Sequence, residues 1–357
     1  MNKKIIYFIA GLIFIGLIIW FVFYINNNVM TGATVRPSAV AGIKAFGPAL
    51  DDNNNVVYYD LDNADLYRYD PATQIKTKLS QDMDQPSKII WSPDGSQAII
   101  KIEYNKYNFE KFNSPFVNKS VADGTVMLWH YNLNTNKYIM LSQDIFAPAS
   151  DNPLNPVWSA DSKSIVYYSV DQTTKIKSLK TSNPDGTNPR TIGTVSARLF
   201  SILKYDSASG TVLYSTSNVN DDNSISIYQL NLATQQEKTI IENVSSVGNF
   251  DNLIFYTKDN KSYIYDDQSG KTNKISIDLA ANNFTYNVTS GVLISLGKNK
   301  SKQAMYLIKL QNLKPLREFE LDFGDKQPES IENLALTKDA KKLLFTSGDN
   351  LFSIPIE

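Results

Sequence analysis

Cysteine is absent from this chain and histidine occurs once. Without cysteine there are no disulfides, no thiol nucleophiles and no cysteine-containing zinc sites. A single imidazole leaves little room for histidine-based acid–base catalysis. The 35 Lys and Arg residues nearly balance the 36 Asp and Glu residues, for a net charge of -1. The chain therefore lacks the global basic field that attracts nucleic acid, and we expect no nucleic-acid partner.

An apolar run without charged side chains covers residues 5–25. A helix rises 1.5 Å per residue, so a helix of this length crosses a hydrocarbon core of roughly 30 Å. Lys3 and Lys4 precede the run, and no further basic residue occurs before Arg36. This bias predicts a cytoplasmic tip at 1–4, a signal anchor in the plasma membrane and an extracytoplasmic remainder. A cleaved signal peptide is the alternative, although its apolar region normally spans only about 7–15 residues.

Beyond the apolar run, short apolar segments alternate with clusters of Asn, Asp, Gly and Ser, which indicates an all-β structure. One pattern recurs in it, consisting of a bulky residue, a polar turn and an apolar strand. Its copies begin at Trp91, Trp158, Tyr205 and Leu336. In the first copy, Trp-Ser-Pro-Asp-Gly, the Pro, Asp and Gly residues favour a tight turn, so each copy predicts a hairpin.

A second pattern follows the first and supplies another hairpin. It consists of alternating aromatic and aliphatic residues, an Asn- or Asp-rich turn and a further strand, as in 66–74 and 128–136. Two hairpins make a four-stranded unit of about 40–45 residues, which is the repeat length of a propeller blade. The second strands of the units centre near Tyr58, Ile99, Tyr167, Leu213, Phe255, Leu293 and Leu344. We therefore predict a seven-bladed β-propeller over 39–357, with six or eight blades as alternatives.

The last unit has room for only three strands. A closed ring needs a fourth strand there, because an unpaired sheet edge promotes aggregation. We expect 26–38 to be a linker in which residues 33–37 supply the ring-closing strand.

These motifs resemble those of the TolB-like bacterial β-propellers, within the wider group of Trp-Asp-repeat-like propellers. Residues 91–95 match the Trp/Phe-Ser-Pro-Asp-Gly turn of that family, 158–161 match it in part, and 66–74 are similar to its Leu-Tyr-x-x-Asp-x-x-Thr-Gly stretch. The resemblance implies a propeller fold over roughly 39–357. TolB proteins, however, carry a small α/β domain before the propeller and are soluble, so the resemblance does not imply a role in a Tol–Pal system.

A long insertion at 103–123 is the most distinctive departure from the repeat. It places aromatic rings among lysines, a combination that suits contacts with carbohydrate, peptide or single-stranded nucleic acid. The candidate binding residues are Tyr104, Tyr107, Phe109, Lys111, Phe112 and Phe116. The alternative is a loop that folds back over its blade and buries its own aromatic rings.

The remaining chemically distinctive residues favour structural roles. His130 lies in an alternating strand pattern, and we interpret it as a surface or hydrogen-bonded blade residue rather than a catalytic one. Trp91 and Trp158 occupy equivalent positions of the repeat, which predicts packing between neighbouring sheets.

Acidic side chains cluster in several turns, and oxygen ligands of this kind bind Ca²⁺. The clusters are Asp51–Asp52, then Asp60, Asp62 and Asp65, and Asp221–Asp222. None of them has an EF-hand or repeat-calcium spacing, so we interpret them as solvated turns and expect no metal or other cofactor. A Ca²⁺ site is the alternative.

The combined pattern predicts a non-enzymatic, membrane-anchored propeller outside the plasma membrane that binds a protein or an envelope polymer. A rigid array of blades that presents loops is suited to binding, although a fold alone does not define a function. The alternative is an extracytoplasmic carbohydrate-active hydrolase or lyase, which would use a pair of carboxylates that face the central channel.

Overall fold

The computed structural model describes residues 30–80, 83–104, 125–141, 156–170, 174, 176–194, 199–218, 221–250, 253–275, 279–287, 291–299, 302–309, 314–323, 330–337 and 339–356. The regular elements in these ranges are β-strands, which confirms the all-β class. None of the described segments forms a helix with the length and hydrophobicity of a membrane span. The predicted cytoplasmic tip and the predicted anchor at 5–25 lie outside the described residues.

The strands are short and follow one another closely along the chain. The first part contains β1 Met30–Val35, β2 Ser38–Leu50, β3 Val56–Asp60, β4 Asp65–Asp70, β5 Ile75–Lys78, β6 Lys88–Trp91, β7 Gln97–Tyr104, β8 Thr125–Asn132 and β9 Lys137–Met140. The middle part contains β10 Val157–Trp158, β11 Ile165–Val170, β12 Lys177–Ser182, β13 Arg190–Thr194, β14 Leu199–Asp206, β15 Thr211–Asn218, β16 Asp221–Asn231 and β17 Glu237–Val244. The last part contains β18 Ser246–Phe250, β19 Leu253–Lys258, β20 Lys261–Asp266, β21 Lys271–Lys274, β22 Leu279–Asn287, β23 Val292–Asn299, β24 Lys302–Lys309, β25 Lys314–Leu321, β26 Ile331–Leu336, β27 Lys342–Ser347 and β28 Asn350–Pro355.

Most strands pair with their chain neighbours in four-stranded antiparallel sheets. The sheets β6–β9, β10–β13, β14–β17 and β18–β21 all have this order. The sheet β22–β25 has the same order, and β1 adds to its outer strand β25 in parallel. The remaining strands form one continuous sheet in the order β26-β27-β28-β2-β3-β4-β5.

Strand β2 belongs to two sheets at once. Its first half pairs with β28, with Ser38 opposite Ser353 and Lys44 opposite Asn350. Its second half, from residue 45, pairs with β3 and begins the sheet β2–β5. The strand that completes the β26–β28 sheet is therefore 38–44, whereas we expected 33–37. Residues 33–35 pair with β25 instead, because that outer strand offers an unpaired edge next to the one that β2 fills.

The hydrophobic core is divided among the interfaces between consecutive sheets. Val57 and Tyr59 of β3 pack with Ile100 of β7, whereas Val56 and Tyr58 of the same strand pack with side chains of β27 and β28. Successive side chains of a strand point to opposite faces, so both faces of β3 are buried. The apolar runs are continuous for this reason, because a strand that is buried on both faces does not alternate with polar residues.

The first strands of the sheets meet around a ring. β2 contacts β6, β10 contacts β14, β14 contacts β18, β18 contacts β22, β22 contacts β26, and β26 contacts β2. Between β6 and β10, the indole N–H of Trp158 donates a hydrogen bond to the Ile90 carbonyl over 3.0 Å. In the same way, the indole N–H of Trp91 donates to the Gly47 carbonyl of β2 over 2.7 Å. Each tryptophan thus joins its sheet to the preceding one, as their equivalent positions predict.

Gly95 lies at a close contact between two sheets. It has a φ of 67° and a Cβ atom there would lie 2.7 Å from the Leu50 oxygen and 2.9 Å from the Asp51 Cα. Gly210, in the equivalent turn of the β14–β17 sheet, has a similar φ of 62° but nothing within 4 Å of the added atom. The two glycines therefore share a backbone conformation and differ in their packing.

We expect Gly95→Ala to destabilise the protein much more than Gly210→Ala. Both changes place alanine in the left-handed region, at a cost of about 1–2 kcal/mol, and only Gly95→Ala also forces two backbone segments apart, which adds about 1–3 kcal/mol. Urea-induced unfolding of the two variants measures the difference. Equal losses would show that the sheets do not meet closely at this turn.

Candidate functional site

Antiparallel order divides the connections of every sheet between two faces of the ring. Connections from a first to a second strand, and from a third to a fourth, lie on one face, which we call the turn face. Connections from a second to a third strand, and from one sheet to the next, lie on the opposite face, which we call the loop face. β7 ends and β8 begins at the loop face, and most of the insertion at 103–123 falls between these two strands in the sequence.

The turn face carries a repeated hydrogen-bonded turn. The Ser92 hydroxyl donates to the Asp94 carboxylate over 2.6 Å and accepts the Gln97 N–H over 2.9 Å. Ser159 makes the same two bonds with the Asp161 carboxylate and the Ser164 N–H.

A third copy of this turn is made by Thr337, Asp339 and Lys342. The hydroxyl bonds from Ser159 and Thr337 lower the pKa of the Asp161 and Asp339 carboxylates. These carboxylates stay ionised and hold the turns, so the recurring motif is structural.

The two strands that flank the insertion in the sequence, β7 and β8, form a fully paired hairpin stem. β7 and β8 pair along their whole length, from Gln97 opposite Asn132 to Tyr104 opposite Thr125. Tyr104 and Thr125, on either side of residues 105–124, are thus direct cross-strand neighbours at the loop face. Of the candidate binding residues, Tyr104 ends β7, and the other five, Tyr107, Phe109, Lys111, Phe112 and Phe116, lie outside the described residues.

Charged side chains surround the base of this stem. Lys101 of β7 is largely buried, with 14% of its side chain exposed, and its amine lies 2.5 Å from the Glu103 carboxylate. Lys88, the first residue of β6, pairs in register with Lys101. Burial and the charge of Lys101 lower the pKa of the Lys88 amine, although its side chain keeps contact with solvent.

Sequence reasoning missed this lysine pair. Lys88 and Lys101 lie on different strands, and only the pairing of β6 with β7 brings them together. The sequence shows only a single lysine before two isoleucines and a tryptophan at 89–91, and this pattern does not reveal the partner residue.

His130 is buried between the β6–β9 and β10–β13 sheets. The side-chain amide of Gln97 donates to the Ser162 carbonyl over 3.2 Å, so its oxygen faces the His130 Nε2 atom at 2.8 Å. Nε2 therefore carries the proton. Burial lowers the pKa of His130, and the ring lies beside Trp158 with the ring centres 6.3 Å apart. These contacts agree with the interpretation of His130 as a hydrogen-bonded blade residue.

The interpretation of the acidic clusters as solvated turns is wrong for Asp51, Asp60 and Asp65, which are buried. Asp60 and Asp65 each form an ion pair of 2.5 Å, with Lys76 and Lys78 respectively. A buried carboxylate needs such partners because desolvation penalises its charge.

Asp51 lies 3.1 Å from the Arg68 Nε atom and accepts the Asn53 and Asn55 backbone N–H groups. Its neighbour Asp52 and the loop residue Asp62 are exposed. Within the described ranges, no group of three or more His, Asp or Glu side chains is arranged to hold a metal ion.

No protein-family model matches the chain, and no curated protein sequence does. Solved structures do resemble it. An oligogalacturonate lyase in complex with manganese superimposes with a TM-score of 0.61 at 13% identity, over 92% of this chain and 97% of the lyase. The oligogalacturonate lyase of Vibrio parahaemolyticus gives 0.59 at 11% identity, over 91% and 98%. A chain of a mitotic checkpoint complex gives 0.55 at 12% identity, over 91% and 94%.

At this level of identity the similarities show the fold alone. They confirm the β-propeller that the repeats predict and agree with the ring of four-stranded sheets.

The single histidine supports a specific pH test. Because the folded pKa of His130 is depressed, the unfolded chain takes up a proton below the ordinary pKa of 6.5 that the folded chain does not. We therefore expect stability to fall as the pH is lowered from about 7.5 to about 5.5, a range in which no other side-chain type has its ordinary pKa. In His130→Gln this loss should be absent. Urea midpoints of both proteins at the two pH values measure it, and parallel changes in the two would contradict the assignment.

Proposed function

We propose that this protein is a membrane-anchored, extracytoplasmic β-propeller that binds a protein or an envelope polymer through its loop face. The observation that carries the proposal is the paired stem of β7 and β8, whose ends at that face flank the aromatic and lysine-rich insertion in the sequence. A stem of eight paired residues on each strand is a firm base for a binding loop, because loops on a rigid scaffold keep their position.

We further propose that the ring has seven blades. The described sheets supply four strands to each blade once β2 is divided between two of them. In this arrangement each core cluster lies between two consecutive blades, including the cluster that joins the last blade to the first.

The direction of β1 supports a particular orientation of the ring relative to the membrane. β1 runs parallel to β25, with Met30 opposite Arg317, and β25 begins at the turn face because it follows β24 within one sheet. A membrane segment at 5–25 would thus join the ring on its turn face. The loop face and its insertion would then point away from the bilayer, toward partners in the envelope.

Single cysteines provide a direct test of location, because the chain has none of its own. We expect a membrane-impermeant maleimide to label Gln268→Cys, in an exposed turn, in intact spheroplasts. Asn2→Cys should react only after the membrane is permeabilised. Labelling of Asn2→Cys in intact spheroplasts, or release of the protein by alkaline carbonate, would refute the anchored topology.

The second test removes the insertion without disturbing the ring. Tyr104 and Thr125 are direct neighbours, so an Asn-Gly turn can replace residues 105–124, since that dipeptide closes two-residue hairpins. We expect this variant to lose capture of the envelope partner while its thermal midpoint stays within a few degrees of the parent.

A second variant keeps the length of the insertion and removes only its aromatic rings, by replacing Tyr107, Phe109, Phe112 and Phe116 with alanine. It should lose capture as well if the aromatic rings make the contact. A large drop in the thermal midpoint of the Asn-Gly variant would instead show that the insertion packs on its blade.

An extracytoplasmic lyase or hydrolase that acts on an acidic polysaccharide is the second candidate function. The similarity to two oligogalacturonate lyases favours it. Incubation with polygalacturonate, with added Mn²⁺ or with EDTA, separates the two functions. Unsaturated or shortened products that require the metal would replace the binding role with an enzymatic one.

A further inference from the structure

Two lysines oppose each other at the loop-face end of the β6–β9 sheet. Lys88 begins β6 and pairs directly with Lys101 of β7. Directly opposed residues of an antiparallel pair have Cβ atoms about 4.5–5.5 Å apart, and like charges in these positions repel. The arrangement is therefore unfavourable unless negative charge accompanies both amines.

Only one of the two lysines has such a partner within the described part of the chain. The Lys101 amine is paired with Glu103. Lys88 has no carboxylate partner among the described residues. The Lys88 side chain also keeps contact with solvent, so a ligand can reach it.

The depressed pKa of Lys88 agrees with this geometry. Desolvation and the nearby charge of Lys101 both disfavour its protonated form, and no carboxylate of the described residues offsets them. A bound anion would reverse the effect, because an opposite charge nearby favours the charged form of an amine.

The place of this lysine pair connects it with the proposed binding face. Lys88 lies on a first strand, and first strands are the ones that meet around the ring. Lys101 lies three residues before the end of β7, where the insertion begins. A ligand held at Lys88 would thus lie between the central channel of the ring and the ends of β7 and β8 that flank the insertion.

We propose that Lys88, which Lys101 opposes on the neighbouring strand, binds a carboxylate or phosphate group of an acidic envelope polymer. The class of ligand rests on the proposed binding function, whereas the presence of an anion site does not. An ammonium group is a point charge without the planar fork of arginine, so the site takes either oxyanion.

Competitive acetylation of the full-length protein, purified in detergent, tests the site. The probes are oligogalacturonate, polyphosphate of similar length and, as a neutral control, maltooligosaccharide. We expect an anionic probe to slow acetylation of Lys88, read by mass spectrometry, and the neutral sugar to have no effect. Protection by oligogalacturonate only assigns a carboxylate, and protection by polyphosphate only assigns a phosphate. No protection by either anion would overturn the proposal.

Variants show whether the charge of Lys88 is responsible. Lys88→Gln should weaken binding of the protecting probe about tenfold or more, as expected for loss of a charge-assisted contact, and Lys88→Arg should retain it. Lys261→Gln removes an exposed charge elsewhere on the same face and should bind like the parent. Equal binding by Lys88→Gln and Lys261→Gln would overturn the proposal.

The Asn-Gly variant separates this inference from the proposed function. If it loses the envelope partner but Lys88 remains protected by the anionic probe, the anion site stands apart from the insertion. If the parent captures an envelope partner but no anion protects Lys88, the binding function stands and the anion site is refuted.

Discussion

The closed ring depends on the sharing of strand β2 between two sheets. Residues 38–44 complete the sheet of β26–β28, and the rest of β2 begins the sheet β2–β5. Core clusters lie between consecutive sheets rather than within one sheet, so an end sheet of an open array would leave one apolar face in water. Closure buries both terminal faces against each other, and hydrophobic burial stabilises the ring as a whole.

The two faces of the ring differ in their physical character. On the turn face, short turns are held by hydroxyl and carboxylate groups, as in Ser159 and Asp161, and turns of adjacent sheets touch through Gly95 and Ser162. Little freedom remains there for a ligand-dependent change. On the loop face, connections vary greatly in length, and the longest one is flanked by the fully paired strands β7 and β8. Rigid packing on one side thus supports variable loops on the other.

Much of this architecture could be predicted from local patterns. The Trp-Ser-Pro-Asp-Gly turn, the paired apolar runs and the repeat length identified four-stranded units, because turns and strands depend on nearby residues. The role of Trp91 and Trp158 in packing neighbouring sheets also followed from their equivalent positions in the repeat. The closing strand was harder to locate, because β2 is one uninterrupted strand and carries no local mark where one sheet ends and the next begins.

The charged groups show the same division between features that follow from local sequence and features that depend on neighbours in space. Composition and periodicity are local properties, so the amino-acid sequence alone establishes that the chain is all-β, repetitive and almost without histidine. The folded arrangement is needed to see that Asp60 and Asp65 are buried against lysines and that Lys88 faces Lys101. The electrostatic energy of a charge depends on its neighbours in space and on its exposure to water, and strand pairing and closure of the ring set both.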